Sequence, residues 1–500
     1  MQAETNVNPP RWHTWHALAA IVVVGALLRF FRLEHQSFWY DESVSARYTT
    51  YHVLDVLLGR ELDLGNPPLH YALLNLWSRV FGPSDAALRS LSAVASVAGI
   101  PLVFVVARRL VGNRIGLVAA ALAAISPPLV YFAQETRTYA LLLALTTTSI
   151  WSLLRAEDEP DRIWPWLVYG ATVFLCPYSH YFAFFFLAGQ VVIVLALHRR
   201  DRKFLGRWAL AVAAGAILFS AIWLPSFWAQ LTTKGNLGRT VQAWYLHVIA
   251  TPMVFSVGTT LLWKGTATWA HVAGAVAALA AFGTAFFAGL GALRRDRRAL
   301  TVLLAWLLSP IVLPLAVSLL LFPLYNVRYA LIGAPAFLII VAAGLVHLSR
   351  RARVVVAAGV VSTSLASLAL YFTTTVKDDW RSAAAWLDTQ ARPADIIAFD
   401  VDTGEAPYAR YARGSSVHLR LVAPDKGSAL AFVGTADRLD PPHDVGQAVL
   451  GAPRVWLVVS DLVDGSMGYY EALFEKRFVA GPTTRFKGIE ITPYVPRQGE

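Results

Sequence analysis

The sequence predicts an α-helical polytopic membrane protein of about eleven transmembrane helices, followed by a C-terminal α/β domain outside the membrane. Hydrophobic residues make up 56% of the 500 residues and charged residues 15%, whereas an average soluble domain has about 25% charged residues. The deficit of charge lies in residues 1–376, and residues 377–500 have the composition of ordinary soluble sequence. We therefore predict a membrane domain, residues 1–376, and an extracytoplasmic domain, residues 377–500.

Apolar runs of about 20 residues, long enough to cross the hydrocarbon core as helices, account for the predicted spans. They begin near residues 15, 88, 114, 138, 164, 181, 208, 269, 299, 328 and 354. The run from Trp15 to Leu33 is long, ends in arginines and lacks a convincing cleavage site, so we expect an uncleaved span instead of a signal peptide. The apolar stretch Thr251 to Trp263 is short, which predicts a re-entrant or interfacial helix.

The links between the runs alternate in charge, and this alternation predicts the orientation. One set of links is basic, and the other is rich in Trp, Tyr and Pro. The positive-inside rule places the basic links and the N-terminus in the cytoplasm and the C-terminal domain outside. The basic links are Arg108 to Arg114, Arg155 to Arg162, Arg199 to Arg207, Arg294 to Arg298 and Arg350 to Arg353.

The net charge of +11 divides unevenly along the chain. Residues 377–500 carry a net charge of −3, so the remainder carries +14. A basic excess in the membrane part fits topology and anionic lipid headgroups. We therefore expect no binding to nucleic acid.

Two adjacent carboxylates stand in the first predicted outer loop, about residues 35–86, within Ser37-Phe38-Trp39-Tyr40-Asp41-Glu42-Ser43. In one interpretation Asp41 caps a helix that begins at Glu42. In the other, an acidic pair near the apolar boundary has a raised proton affinity, which suits a general base. Two later segments of the loop, around Val44 to Leu58 and Leu69 to Phe81, are amphipathic and are predicted to lie flat on the membrane.

A second group of charges, Glu135 and Arg137, lies in a very short outer turn between two predicted spans. Charges at membrane depth are costly and usually functional, although a local Glu–Arg pair that reaches out to water is an alternative. An arginine held here suits a phosphate, because its planar fork binds two oxygens at once.

Other polar residues at predicted outer ends are further candidates, each with a structural alternative. Arg328, in Tyr325-Asn326-Val327-Arg328-Tyr329, and Arg89 are phosphate contacts or anchors. Asn66 and His70 belong to Asn66-Pro67-Pro68-Leu69-His70-Tyr71, whose prolines most simply start a helix. His180 is either a site residue or an interfacial hydrogen-bonding residue.

Several kinds of site are not supported by the sequence. It contains no P-loop, no nucleotide-binding glycine pattern and no His-Glu-x-x-His zinc motif. The single cysteine, Cys176, allows neither a disulfide within the chain nor a thiolate metal site. A nucleotide-sugar site of the cytosolic type is therefore unsupported. Because nucleotide sugars are scarce outside the cytoplasm, a sugar donor used there would have to arrive on a lipid.

Together these features resemble the GT-C superfamily of integral membrane glycosyltransferases. Within it the chain is similar to the family 39 type, the bacterial relatives of protein O-mannosyltransferases and of the lipid A aminoarabinose transferase. The resemblance covers essentially the whole chain. The motifs that carry it are Phe38 to Ser43, Asn66 to Tyr71, Ala87-Leu88-Arg89-Ser90, Gln134 to Tyr139, Tyr325 to Tyr329 and Asp378-Asp379-Trp380-Arg381.

The resemblance implies a polyprenyl-phosphate sugar as donor and an inverting displacement on the outer face of a bacterial cytoplasmic (inner) membrane. It implies Asp41 as the catalytic base, with Glu42 completing the motif. The expected contacts to donor phosphate and sugar are Arg137, Glu135, Arg328, Arg89, Tyr139, His180 and Tyr329, and Asn66 and His70 are expected to serve the acceptor or the loop. The sequence requires no cofactor, although carboxylates near a phosphate can hold a divalent metal. The acceptor, whether lipid, glycan or protein, stays open, as does the choice between acceptor recognition, a lid and simple capping for residues 377–500.

A polytopic transporter or flippase of lipid-linked sugars, without transferase activity, is the alternative. Such a protein is expected to carry ionisable residues near the bilayer midplane and broken helices in repeated halves. Here the charges cluster at the outer ends, and no internal repeat is visible. A non-catalytic lipid-phosphate-binding protein is a third class, which would keep the arginines without needing Asp41.

In residues 377–500, helical and strand patterns alternate, which predicts a small α/β domain. Helices are predicted from Ser382 to Thr389 and from Tyr469 to Arg477. Strands are predicted from Asp395 to Asp400, Val455 to Ser460 and Ile489 to Val495.

Overall fold

The computed structural model describes residues 12–60, 66–232, 244–258, 269–399, 402–413, 420–422, 449, 451–460, 474 and 477–497. The chain divides into two compact units. Residues 1–33 and 51–373 form the first, here called the membrane unit, and residues 34–50 and 374–500 form the second, here called the α/β unit. The predicted domain boundary after residue 376 remains a prediction, and by its contacts the segment 34–50 belongs with the C-terminal residues.

The described residues form helices throughout the membrane unit and a mixture of helices and strands in the α/β unit. The helices are α1 (Trp12–Phe30), α2 (Tyr40–Arg47), α3 (Val53–Leu58), α4 (Leu69–Phe81), α5 (Asp85–Val111), α6 (Asn113–Ile125), α7 (Pro127–Ala133), α8 (Tyr139–Asp158), α9 (Ile163–Ser179), α10 (Ala183–His198), α11 (Arg202–Thr232), α12 (Trp244–Val257), α13 (Trp269–Leu293), α14 (Arg297–Leu320), α15 (Val327–Ala330), α16 (Ala334–His347), α17 (Arg350–Thr373), α18 (Trp380–Gln390) and α19 (Glu405–Tyr411). The strands are β1 (Ile396–Phe399), β2 (Arg420–Val422), β3 (Val455–Ser460), β4 (Phe478–Ala480), β5 (Thr484–Phe486) and β6 (Ile489–Pro496).

The predicted multi-pass helical fold is confirmed. Within the described residues, eight helical segments are long and apolar enough to cross a membrane, or nine if the bent pair α6 and α7 counts as one span. Each of the eleven predicted runs coincides with a helix or with this pair, but α9 and α10 have 17 and 16 residues, short of the about 20 that a span typically needs. The count of eleven is therefore not confirmed. Helix α12 covers part of the predicted Thr251 to Trp263 segment, and residues 259–263 lie outside the described residues.

Helix α16 forms the centre of the membrane unit and is buried along most of its length. It crosses α13 at a point where both helices carry glycine. A Cβ atom on Gly344 would lie 1.8 Å from the Ala285 carbonyl oxygen, and one on Gly289 would lie 2.0 Å from the Ile340 carbonyl oxygen. Small residues at such a crossing allow the two backbones to approach closely, which is how helices in membranes gain packing contacts.

The bend of 55° between α6 and α7 is caused by Pro127 and Pro128. Neither proline has an N–H group, so the carbonyls of Ala123 and Ala124, four residues earlier, lose their helical donors. The guanidinium of Arg29 replaces both, donating to the two carbonyl oxygens at 2.9 Å. Arg29 is 0% exposed, and its charge lies at the C-terminal end of α6, where a helix dipole favours a cation.

Four of the five predicted basic links meet acidic residues at the C-terminal end of α8 and in the turn after it. Helix α8 therefore carries this group of charges at its end and the turn of Arg137 at its start. A helix of 20 residues spans about 30 Å, the thickness of the hydrocarbon core. The ion pairs are Arg109 with Asp158, Arg155 with Glu159, Arg207 with Asp161, and Arg298 with Glu157. Glu157 also shares a hydrogen bond of 2.9 Å with the Nε2 atom of His198.

The described residues of the α/β unit form a sheet of six strands with the order β2-β1-β3-β6-β4, in which β5 also pairs with β6. Strand β1 is parallel to β2 and β3, and β6 is antiparallel to β3, β4 and β5. Trp380 and Leu387 of α18 and Tyr408 of α19 pack with Phe399 and Ile491 of the sheet in one buried core.

The predicted α/β domain is confirmed in its main elements. The predicted helix from Ser382 to Thr389 corresponds to α18, and the three predicted strands correspond to β1, β3 and β6, although Asp400 lies outside the described residues. Most of the predicted helix from Tyr469 to Arg477 also lies outside them. Helix α19 and the short strands β2, β4 and β5 were not predicted.

Candidate active site

In the membrane unit, the turn between α7 and α8 is tied down on both sides. The side-chain amide of Gln134 donates to the carbonyl oxygens of Arg29 at 3.0 Å, in the last turn of α1, and of Phe31 at 2.8 Å, just after it. The hydroxyl of Thr138 lies 2.6 Å from that of Ser179, at the end of α9. The turn is therefore held by two different helices, which fixes the backbone on either side of Arg137.

Arg137 itself is buried in this turn, with 7% of its surface exposed. Its guanidinium donates to the hydroxyl of Tyr71 at 3.2 Å, and its carbonyl oxygen accepts from the hydroxyl of Ser92 at 3.2 Å. Glu135, two residues earlier, is 1% exposed. The predicted placement of both charges in a short turn between two apolar helices is confirmed.

Four predicted site residues from four other segments gather around Arg137. Tyr139, at the start of α8, has its ring centroid 6.0 Å from the guanidinium carbon. The ring of Tyr329, on α15, lies 4.6 Å from that of His180 and 6.2 Å from that of Tyr139. His70, on α4, is close enough for the positive charge of Arg137 to lower its pKa. We call these five residues the Arg137 cluster.

Both histidines of the Arg137 cluster are held neutral. Burial, together with the positive charge of Arg137, lowers the pKa of His70 to about 3 and that of His180 to about 3. A neutral imidazole has one donor and one acceptor nitrogen. In His180 the Nδ1 atom accepts from the backbone N–H of Phe182 at 3.2 Å, which assigns the proton to Nε2 and makes that atom a hydrogen-bond donor.

His70 is 1% exposed and has unused hydrogen-bonding capacity. The ring lies beside the Thr136 backbone, but neither nitrogen completes a hydrogen bond of ordinary geometry with any part of the chain that the structure describes. A buried polar group without a partner is costly. The ring is therefore a candidate to contact a bound molecule.

The remaining predicted residues of the membrane unit have other surroundings. Arg89 is 1% exposed and donates to the carbonyl oxygen of Leu33 at 2.9 Å, beyond the end of α1. Arg328 is half-buried beside Tyr329, and its backbone N–H is capped by the side chain of Asn326 at 3.0 Å. Asn66 is half-buried and precedes two buried prolines, after which α4 begins, as predicted.

In the α/β unit, the adjacent carboxylates lie on the short helix α2. This helix begins at Tyr40, and Trp39 occupies the N-cap position without a side-chain hydrogen bond. The interpretation of Asp41 as a helix cap is therefore wrong, because Asp41 is already the second helical residue. Asp41 is half-buried, whereas Glu42 is fully buried and its Oε2 atom accepts from the Nζ atom of Lys377 at 2.8 Å.

The segment that leads into α2 is bound to the C-terminal part of the α/β unit. The backbone N–H of Phe38 donates to the hydroxyl of Tyr411 at 2.7 Å, and the guanidinium carbon of Arg410 lies 4.5 Å from the Phe38 ring centroid. The amide of Gln36 donates to the carbonyl oxygen of Thr374 at 2.8 Å. Neither Lys377 nor Tyr411 was predicted, because the sequence does not reveal which distant residues meet.

Within the described residues, no group of three or more His, Cys, Asp or Glu side chains has an arrangement that could hold a metal ion. The predicted possibility of a divalent metal therefore remains a prediction. The buried carboxylate of Glu42 is paired with an ammonium group, and the carboxylate of Asp41 lies next to it in the chain.

Comparison with known proteins identifies the class of protein that this fold defines. A family model described as dolichyl-phosphate-mannose-protein mannosyltransferase matches residues 65–225, about a third of the chain. A search of curated protein sequences gave no match. The family match and the structural matches below confirm the predicted resemblance to GT-C glycosyltransferases of the O-mannosyltransferase type, and the similarity to ArnT is one of fold.

Solved structures of several proteins are similar in fold to nearly the whole chain. ArnT from Cupriavidus metallidurans in the apo state has 14% identity and a TM-score of 0.62, with 96% of this chain and 97% of that chain covered. The same protein bound to undecaprenyl phosphate has 15% identity and a TM-score of 0.61, with 97% and 98% covered. The archaeal oligosaccharyltransferase AglB from Archaeoglobus fulgidus, in complex with an inhibitory peptide and a dolichol-phosphate, has 11% identity and a TM-score of 0.54, with 97% and 74% covered.

Proposed function

We propose that this protein transfers a sugar from a polyprenyl-phosphate donor to an acceptor hydroxyl on the outer face of the membrane, with inversion. The observation that carries the proposal is the Arg137 cluster, in which a buried cation lies among two neutral histidines and two tyrosines. Two structures of similar fold contain a lipid phosphate, undecaprenyl phosphate in ArnT and dolichol-phosphate in AglB. These ligands support the choice of donor.

In the proposed reaction Arg137 binds the phosphate of the donor. Arg137 is 7% exposed, so water screens its charge little, and a guanidinium can hold two phosphate oxygens. The Nε2–H group of His180 is a second donor to the same phosphate. Glu135 orients Arg137 or contacts the sugar. These groups stabilise the negative charge that grows on the phosphate as it leaves.

Asp41 is the proposed general base. It takes the proton of the acceptor hydroxyl while that oxygen forms a bond to the anomeric carbon, and the bond from this carbon to the phosphate oxygen breaks. A single displacement of this kind inverts the anomeric centre. The lipid phosphate departs as a stable anion, so no general acid is needed, in contrast to glycoside hydrolysis.

We also propose that the end of α8 with the ion-paired basic links faces the cytoplasm. These links follow the positive-inside rule, and the Arg137 cluster lies at the start of the same helix, about 30 Å away. The site then lies on the outer face of the membrane. A bacterial cytoplasmic membrane fits the similarity in fold to ArnT from Cupriavidus metallidurans.

The decisive experiment incubates the purified protein in lipid nanodiscs with a panel of radiolabelled polyprenyl-phosphate sugars and measures transfer or slow hydrolysis. The Asp41→Asn variant is expected to lose transfer by at least about 10³-fold while still binding the donor. The Asp55→Asn variant, which alters a partly exposed carboxylate on α3, is the matched control and is expected to remain active.

Two outcomes would contradict the proposal in different ways. Full activity of Asp41→Asn would remove the assignment of the base. Movement of the donor across the bilayer by the wild-type protein, with no transfer or hydrolysis of any donor, would favour the flippase alternative.

A further inference from the structure

The buried pair of Glu42 and Lys377 joins two distant parts of the α/β unit. The two charged atoms lie 2.8 Å apart, and the side chains are 0% and 2% exposed. Charged groups lose their hydration when they are buried, so removal of one partner leaves the other charge uncompensated and strongly destabilises its surroundings. The pair therefore fixes the position of both side chains.

Lys377 contacts the segment 34–50 through its backbone as well. Its backbone N–H donates to the Oε1 atom of Gln36 at 3.2 Å, and the N–H of Val376 donates to the same atom at 3.0 Å. One residue thus holds the chain before α2, through Gln36, and the helix itself, through Glu42.

Helix α2 depends on such contacts. It has eight residues and no side-chain hydrogen bond at its N-cap, and an isolated helix of this length is not stable in water. Adjacent residues on a helix point about 100° apart. A bond that fixes the direction of Glu42 therefore fixes the direction of Asp41 as well.

We propose that Lys377 is a positioning residue for the sugar transfer, because it fixes the rotation of α2 through Glu42 and so directs the Asp41 carboxylate. This inference rests on the proposed function, in which Asp41 is the base. The Glu42 carboxylate is engaged by the ammonium group, and its role is to orient the helix instead of accepting the proton of the acceptor.

The test compares Lys377→Met with Lys487→Met, the same change at an exposed lysine of the same unit. Lys377→Met is expected to lower kcat about 10- to 100-fold, the loss that a misplaced catalytic group produces, and to leave the donor KM within about twofold. Lys487→Met is expected to leave both constants unchanged. An unchanged kcat in Lys377→Met would overturn the inference.

The double variant Glu42→Gln with Lys377→Met separates positioning from chemistry. It replaces both charges by neutral side chains of similar size, so no buried charge is left without a partner. If Glu42 acts by position, the double variant recovers at least about tenfold of the activity that Lys377→Met loses. Activity as low as that of Asp41→Asn, with α2 still ordered, would assign a chemical role to the Glu42 carboxylate and refute the inference.

Hydrogen–deuterium exchange over residues 39–48 provides a measurement that does not depend on activity. Exchange is expected to be faster in Lys377→Met than in the wild type, and unchanged in Lys487→Met. If this difference appears but no donor supports transfer in the wild type, the proposed reaction fails while the tie between Lys377 and α2 holds. If transfer occurs and exchange in Lys377→Met matches the wild type, the positioning role fails while the reaction stands.

Discussion

Replacing Arg137 by methionine is the perturbation that tests the proposed phosphate site most directly. Methionine keeps much of the apolar volume of the arginine stem and removes the charge and all five donors. Two side chains close to the guanidinium, His70 and His180, are neutral at pH 7 because burial and the charge of Arg137 lower the pKa of each to about 3. Neither histidine can replace the lost positive charge.

The magnitude follows from the burial of Arg137. A hydrogen bond to a charged group contributes about 1.5–3 kcal/mol, and a guanidinium can offer two such bonds to one phosphate. Because water partly replaces them in the variant, we expect a net loss of about 3–4 kcal/mol in the transition state, the range measured for single oxyanion donors. This corresponds to a fall of about 10²- to 10³-fold in kcat/KM. Arg137→Lys keeps the charge without the fork, and we expect a loss of about tenfold.

The assay measures kcat/KM for sugar transfer together with the affinity for the lipid phosphate product in nanodiscs. Arg79→Met, at an exposed arginine in the last turn of α4, is the matched control and is expected to behave as the wild type. Thermal unfolding of each variant checks that loss of the bond to Tyr71 has not unfolded the protein. If Arg137→Met binds the lipid phosphate with wild-type affinity and transfers sugar within about threefold of the wild-type rate, the phosphate assignment is wrong.

Two further predictions concern stability. The pKa of His70 in the folded protein is about 3, below its ordinary value near 6.5. The unfolded chain therefore binds more protons between these two values, and stability falls as the pH drops below about 6.5. The His70→Gln variant is expected to show a flatter curve of thermal midpoint against pH from 4 to 7, and an unchanged slope would contradict the assignment. Arg29→Met leaves the Ala123 and Ala124 carbonyls without donors at the bend between α6 and α7, and it is expected to lower the stability by about 2–4 kcal/mol, because each unsatisfied buried acceptor costs about 1–3 kcal/mol. The thermal midpoint in detergent measures this loss, and a midpoint equal to that of the wild type would show that the bend does not need Arg29.

The helical fold followed from the sequence because hydrophobicity along the chain reports burial in a bilayer directly. The bend between α6 and α7 shows where such reasoning ends. Pro127 and Pro128 indicate a break in the helix, but Arg29, which stabilises the bend, lies about a hundred residues earlier in the chain. From the sequence, Arg29 was no more than a charged end of the first span. The packing of the helices brings the Arg29 guanidinium to the two carbonyls that lack donors, and no local sequence pattern reveals this contact.

For the candidate site, the sequence likewise predicts the location of the residues along the chain but not their contacts. Arg137, Tyr139, His70, His180 and Tyr329 stand at predicted outer ends of different helices, so the predicted alternation of the spans predicts that they lie on one side of the membrane. Their mutual contacts required the structure, because topology fixes the side and packing fixes the neighbours. The neutral state of the two histidines is likewise a property of the assembled site, since burial is the larger cause of each lowered pKa.

The adjacent carboxylates of α2 show why a short motif alone does not define the roles of its residues. Asp41 and Glu42 carry the same functional group, yet the helix directs them into different surroundings. Glu42 is fully buried, whereas Asp41 is half-buried. The lysine paired with Glu42 lies four residues after Thr373, the last residue of α17. A helix of eight residues cannot hold a catalytic base in place by its own hydrogen bonds. In the proposed mechanism, residues 374–500 supply the contacts that orient α2 and its Asp41 carboxylate, and these contacts lie within the compact unit that residues 34–50 form with residues 374–500.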